Sequence, residues 1–522
     1  MNRSPSRRQT TSITVAIVAI VIFAAGLRLA HNRTGVPYAV GADEPQIMNR
    51  AFQMMKSGDF NPHFFDWPSL TIYLQLLATC GAFLVGAMQG AWGNLDQVGP
   101  GDFYVVGRSV TAMLGAGTVV VLWWAARRWG VATGLIAAGF LAVMPNHVRE
   151  SHYTLTDVPT GFFTTLTLLL ALRASERPTR GAFAWAGLAA GLAASCKYNG
   201  LVAIVMPLIA AVLVMPASSD VETGGRWTSA HVRLVTGLIL LVFASTLAGF
   251  LIGTPYALLD LPKFLNDYAR LALVFSRTRS GEPGWSLYLK YLRGSLYMLG
   301  MLWAGLGLLV GFKGWLTGPD RTRWLLLAVF PVLYFNVMAG AFQIYGRYTV
   351  PLLPSMALLA AVGLVSVWRL GCRVMPARVA TAVATGLIVW TVGQPLLGSI
   401  DWVDGMARTG TVDQAYSWIV QNVPRGTKIA VETSVMSLPG NRYPSIVLRS
   451  LAERPYEQYV QEEYGYLLAN AVAYNQAMPS EADTAARREA YRVLFERAEQ
   501  VAHFDESADK PGPTLRIFRI NR

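Results

Sequence analysis

GADEPQIMNRAFQMMKSGDFNPHFFDWPSL, residues Gly41–Leu70, lies between two strongly apolar runs, 12–30 and 69–91. It opens on an acidic pair, Asp43-Glu44, continues as an amphipathic segment, and ends in His63, Asp66, Trp67 and Pro68. Carboxylates next to hydrocarbon are expensive, so an acidic pair placed immediately beyond an apolar run asks for a reason.

The runs on either side decide the fold class. Apolar stretches recur at roughly 12–30, 69–91, 103–125, 131–148, 156–173, 182–196, 200–216, 233–254, 291–312, 324–342, 348–367 and 379–399. Most have the length of about 17–25 residues that crosses a bilayer as a helix. The 522-residue chain is 53% hydrophobic and only 14% charged, with a mean hydropathy of +0.37, where a soluble protein carries about a quarter charged residues. The reading is a polytopic all-α membrane domain.

The net charge of +13 does not point to nucleic acid, because the cations sit at the ends of apolar runs. Arg3, Arg7 and Arg8 precede the first run, and Arg127, Arg128, Arg173, Arg177, Arg180, Arg369, Arg373 and Arg378 flank later ones, the positive-inside distribution. The N-terminus lacks a small-residue cleavage pattern and reads as a retained first helix. Cys80, Cys196 and Cys372 are scattered in apolar segments and suggest neither a disulfide framework nor a metal cluster.

With the N-terminus inside, the basic clusters, together with Arg226, Arg233, Lys313, Arg321 and Arg323, all fall inside only if 69–91 does not cross. This predicts about eleven transmembrane helices, with 69–91 a juxtamembrane helix. The outer face then gathers Asp43-Glu44, Arg149–Pro159 (RESHYTLTDVP), Lys197-Tyr198-Asn199, the loop Pro255–Lys290 and the turn Gln343–Tyr348. Beyond Ser399 no membrane-length run remains. A helix over Asp413–Val423, a strand over Lys428–Glu432, a helix over Ser480–Val501 capped by Ser480, and a closing strand over Thr514–Ile520 predict a small α/β domain outside the membrane. The expected division is 1–400, with 41–91 as the first outer loop, and 401–522.

Each candidate residue has a plain alternative. Asp43-Glu44 and Asp157 suit helix starts as caps. They equally suit a base, or ligands for a divalent metal with His152. His63 and His152 lack zinc-site spacing and read as hydrogen-bonded interfacial residues as well as ligands. Trp67 fits an aromatic belt or a sugar-stacking surface, beside Asp66. Lys197, Arg347 with Tyr348, and Arg108 are cations for snorkelling or for a lipid phosphate. No Walker A, strand-linked GxGxxG or G-x-S-x-G occurs, so nucleotide-driven transport and hydrolase chemistry lack support.

The ordered series ADEPQIMNRAFQMMKSGDF, NPHFFDWPSLTIYL, GRSVTAMLGAGTVVVLWWAARRWG, MPNHVRESHYTLTDVP, ASCKYNG and IYGRYTVPLLPSMALL resembles the GT-C membrane glycosyltransferases. It is similar to the bacterial branch related to protein O-mannosyltransferases and lipid A aminoarabinose transferases, over roughly residues 12–400. The resemblance implies an inverting transfer from a polyprenyl-phosphate sugar, on the outer face of the bacterial plasma membrane, to a hydroxyl of a protein, lipid or surface glycan. It implies Asp43 as base, Glu44 as its support or an acceptor contact, and Asp157 as the second-loop acid, with or without a divalent metal. Where relatives carry a Lys-Pro or Pro-Pro pair, this chain has Asp66-Trp67-Pro68. A lipid-linked-sugar transporter and a non-catalytic scaffold are the alternatives.

Overall fold

The structure, a computed structural model, describes residues 7–36, 41, 43–214, 229–275, 282–318, 320–432, 436, 438, 442–475, 481–507, 510 and 512–521. Arg3, Arg226, Ser480 and positions 276–281 of the outer loop lie outside these residues. The chain divides into two compact units: one comprises Met1–Ala30, Ile47–Ala91 and Val106–Trp402, the other His31–Gln46, Trp92–Val105 and Val403–Arg522.

The helices are α1 (Arg7–Leu29), α2 (Glu44–Ser57), α3 (Leu70–Met88), α4 (Tyr104–Ala126), α5 (Val131–Val143), α6 (Pro145–Glu150), α7 (Asp157–Glu176), α8 (Arg180–Cys196), α9 (Val205–Val212), α10 (Ser229–Gly253), α11 (Tyr256–Leu259), α12 (Leu261–Phe275), α13 (Gly284–Thr317), α14 (Arg321–Ala339), α15 (Leu353–Val374), α16 (Ala377–Ala407), α17 (Thr411–Asn422), α18 (Tyr456–Gln461), α19 (Ala471–Tyr474) and α20 (Glu481–Arg497). Among the described residues, nine helical stretches are long and apolar enough to cross a membrane.

The other three of the twelve apolar runs give shorter helices. Run 131–148 stops at Val143, because Pro145 cannot continue a hydrogen-bonded helix and instead starts α6. Run 182–196 gives the 17 residues of α8, and run 200–216 begins as a 3₁₀ segment, Tyr198–Ile204, before α9. The 69–91 segment, expected at the interface, is a 19-residue helix that by length and composition qualifies as a span.

In the membrane unit, two helix pairs approach closely through glycines, as small residues allow between membrane helices. A Cβ on Gly363 of α15 would run into the carbonyl of Trp303 in α13, and one on Gly307 of α13 into the carbonyl of Leu359. Gly191 of α8 and Gly249 of α10 meet in the same way. Gly363→Val is therefore expected to cost on the order of 1–3 kcal/mol. The thermal midpoint in detergent should drop by several degrees; an unchanged midpoint would mean that α13 and α15 can separate freely.

A second device in this unit lay hidden inside an apolar run. Arg28, at the end of α1, is completely buried. Its Nη1 donates to the carbonyls of Ala24 and Ala142, both at 2.9 Å, and its Nη2 to Leu141 O at 3.2 Å and His147 Nδ1 at 3.0 Å. These carbonyls end α1 and α5, where helix partial charge is negative.

In the second unit the strands are β1 (Lys428–Glu432), β2 (Ser445–Leu448), β3 (Tyr464–Asn470), β4 (Glu499–Phe504) and β5 (Leu515–Arg519). They form one mixed sheet in the order β2-β1-β3-β5-β4, parallel from β2 to β3 and antiparallel from β3 to β4. Two cores cover its faces. Ala415 and Ile419 of α17 pack with Ile429, Val431 and Ile517. Tyr491 and Leu494 of α20 pack with Ala430, Leu467 and Phe518. The helix expected over Ser480–Val501 ends at Arg497, and Val501 belongs to β4, because pairing with β5 captures Glu499–Phe504. Buried Glu432 closes β1 by accepting from the N–H groups of Leu451 (2.8 Å) and Asn470 (2.6 Å) and from the Tyr491 hydroxyl. Burial pushes its carboxyl up, against those hydrogen bonds. Thr34 joins the same unit through a 2.7 Å bond to Met406 O.

Candidate active site

A cluster of charged side chains in the membrane unit forms where three helices begin or end together. Asp157 is the first residue of α7 and is buried. Its carboxylate is not spent on capping the helix: Oδ1 accepts from Lys197 Nζ at 2.7 Å, and Oδ2 lies 3.9 Å from Arg347 Nε. Lys197 reaches it because α8 ends at Cys196 and Lys197 itself is extended (φ −156°, ψ 136°). Arg347 and Tyr348 arrive on the 3₁₀ segment Gly346–Leu352 that precedes α15. The Lys197 ammonium lies 3.9 Å from the centre of the Tyr348 ring, a cation–π contact strengthened by burial.

A second layer comes from α6. Arg149 binds Glu150 (2.9 Å from Nε) and Asn146 Oδ1 (2.8 Å from Nη2). Asn146 Nδ2 in turn donates to Gly346 O at 2.6 Å and to Thr349 Oγ1 at 2.8 Å, which fixes the segment bearing Arg347. Burial, helped by the Asp157 charge, pushes the Glu150 carboxyl up, against Arg149 and Arg347. With three cations to two carboxylates, one of them inclined to be neutral, the cluster favours an added anion. Asn146 and Glu150 escaped the sequence reading, although they lie in or beside the polar segment Arg149–Pro159 that it singled out. Their spacing from Gly346 and Asp157 carries no local signature.

The other expected site residues have separate surroundings. Glu44 is buried, and its Oε2 accepts from Gly41 N–H at 2.7 Å, so Glu44 serves the start of α2; Asp43 is half-buried, with its carbonyl accepting from Gln46 N–H at 3.1 Å. Arg108 is buried, with its guanidinium 5.6 Å from the Tyr153 ring centre. His63 is exposed and bonds Asp59 at 2.9 Å. Asp66 pairs with Arg270 at 2.5 Å, and Trp67 meets Phe64 edge-on. This stretch is tied to α12: Phe65 N–H donates to Asp267, and Asn61 to Asp260 just before it. It is linked toward Lys197 by the neighbouring Tyr198, whose hydroxyl donates to Phe65 O at 2.7 Å.

The ring nitrogens of His152 face the carbonyls of Val148 (2.9 Å) and Ala30 (3.0 Å), leaving neither aimed at a metal. Among the described residues no three His, Cys, Asp or Glu side chains gather as a metal site.

Burial lowers the pKa of His152 to about 4, against its carbonyl contacts, and lowers His147 well below the usual 6.5, with Arg28 adding to the effect. His152 binds protons more weakly when folded, so its contribution to stability rises with pH between about 4 and 6.5 and falls as acid protonates the unfolded chain preferentially. For His152 the loss on acidification across that window is on the order of 3 kcal/mol. His152→Gln should flatten this part of the thermal midpoint's pH profile; an identical slope in parent and variant would assign the acid sensitivity elsewhere.

Residues 13–255, just under half of the chain, match the family model of dolichyl-phosphate-mannose-protein mannosyltransferases. No curated protein sequence matches. Among solved structures, the apo oligosaccharyltransferase of Archaeoglobus fulgidus is 13% identical with a TM-score of 0.58, covering 93% of this chain and 73% of that one. The same enzyme tethered to an acceptor peptide gives a TM-score of 0.54 at 13% identity, covering 98% of this chain and 74% of that one. ArnT of Cupriavidus metallidurans, bound to undecaprenyl phosphate, gives 0.52 at 16% identity and covers 97% of this chain and 98% of that one. By this fold, and by the family match over its N-terminal part, the chain is similar to the GT-C glycosyltransferases.

Proposed function

We propose that the protein transfers a sugar from a polyprenyl-phosphate carrier to an acceptor hydroxyl, with inversion, on the outer face of a bacterial plasma membrane. The observation that carries this reading is the buried Asp157 carboxylate flanked by Lys197 and Arg347. In the reaction the acceptor oxygen bonds to the anomeric carbon as the bond from that carbon to the phosphate oxygen breaks. The leaving phosphate keeps the electron pair and goes from monoanion to dianion. Cations held in place beforehand stabilise that added charge without reorganising. Asp43 takes the proton from the acceptor hydroxyl, a poor nucleophile that a positioned carboxylate assists. Two neighbours support the substrate classes: one binds undecaprenyl phosphate and the other was captured with an acceptor peptide. The acceptor here is a protein, lipid or glycan hydroxyl, and the soluble unit helps select it.

The test is to incubate the purified protein with a panel of polyprenyl-phosphate sugars and membrane or protein acceptor fractions. Appearance of free polyprenyl phosphate together with sugar-labelled acceptor is the expected result. Movement of intact donor between leaflets of a vesicle, with no release of phosphate, would replace this reading by transport.

A further inference from the structure

We propose that the membrane unit holds an anionic glycerophospholipid in a crevice between α1 and α4, independently of the transfer reaction. The crevice has a volume of about 570 Å³, within the range of about 300–1,000 Å³ typical of small-ligand sites. Its α1 wall includes Ile13, Ile17 and Val21, its α4 wall includes Val120 and Trp123, and Arg127 is among the residues that line it. The lining is almost wholly apolar, suited to an acyl chain and not to a sugar.

The charge at Arg127 selects the occupant. The Arg127 guanidinium lies 3.8 Å from the Trp124 ring centre, exposed beside the crevice. Arg128 and Arg173 reinforce its field. The neighbouring carboxylate, Glu176, is held by Arg128 at 2.5 Å, so the group keeps a net positive charge. Basic groups next to an apolar cleft between membrane helices are suited to lipid phosphates of the cytoplasmic leaflet. The charge rule places these arginines on that side when 69–91 does not cross. The phosphate therefore sits at Arg127 and one acyl chain lies along Ile17 and Val21.

The experiment is native mass spectrometry of the full-length protein in mild detergent, titrated separately with phosphatidylglycerol and with phosphatidylcholine of equal chain length. The parent should retain phosphatidylglycerol preferentially, and added salt should weaken that preference. Arg127→Ala should reduce the preference about fivefold, the effect of one surface arginine on an anionic lipid. Ile17→Trp, which fills the crevice and leaves the cations intact, should reduce retention of both lipids. Equal retention of the two lipids by the parent, or a preference unchanged in both variants, overturns the proposal. Retention of undecaprenyl phosphate but not phosphatidylglycerol would overturn it as well, by making the crevice a carrier site. Failure of sugar transfer in the assay above would leave these outcomes unaffected.

Discussion

Asp157→Ala is expected to be the most damaging single change in the membrane unit, and its partner change should separate two reasons for the damage. Lys197 and Arg347 would be left facing each other with their shared carboxylate gone. Removing one member of a buried pair typically costs about 3–5 kcal/mol because the remaining charge is stranded. The single variant should thus accumulate poorly and melt early. The double variant Asp157→Asn with Lys197→Met removes the stranded ammonium and should recover much of the thermal midpoint. It should still transfer sugar roughly 10²–10³-fold more slowly than the parent, the usual loss when a preset charge contact to the leaving group is removed. A double variant that regains both midpoint and rate would reduce Lys197 to a structural partner of Asp157.

Asp43→Asn is expected to be severe kinetically. The helix start is served by Glu44, whose carboxylate returns to Gly41, so an amide at position 43 leaves that bond in place. Loss of a general base lowers rates by about 10²–10⁴-fold. The measurements are initial rate of acceptor labelling and retention of radiolabelled donor. The expected pattern is lost rate with donor binding preserved. Transfer at the parent rate would sink the assignment of Asp43 as base. Glu44→Gln should do the reverse and affect the folding of the segment first, since it weakens the acceptor for Gly41.

Much of this architecture was readable because the membrane imposes a one-dimensional code. Span length and cation placement located nearly every long helix, and the periodicity of Asp413–Val423 and Lys428–Glu432 gave α17 and β1 directly. What escaped depended on contacts between distant residues. Val501 continued a helical stripe in sequence, yet β5 captures it into a strand. The break at Pro145 shortens a run that hydropathy alone extends to 148. Asn146 and Glu150 sit beside an evident acid, Asp157, but their role depends on Gly346 and Arg347, 200 positions away in sequence for Asn146 and Gly346. Lys197 and Arg347, by contrast, were legible because a cation at the end of an apolar run stands out.

Arg28 gives the molecule a schedule as well as a shape. Its acceptors at 141, 142 and 147 lie more than a hundred residues downstream. While the chain emerges from the ribosome, the first helix must enter the bilayer with a guanidinium that has none of them. During that interval the charge can only reach toward headgroups and water. The first helix therefore gains these three acceptors only after α5 and α6 have been made. The order of synthesis is built into the order in which that one cation changes hands.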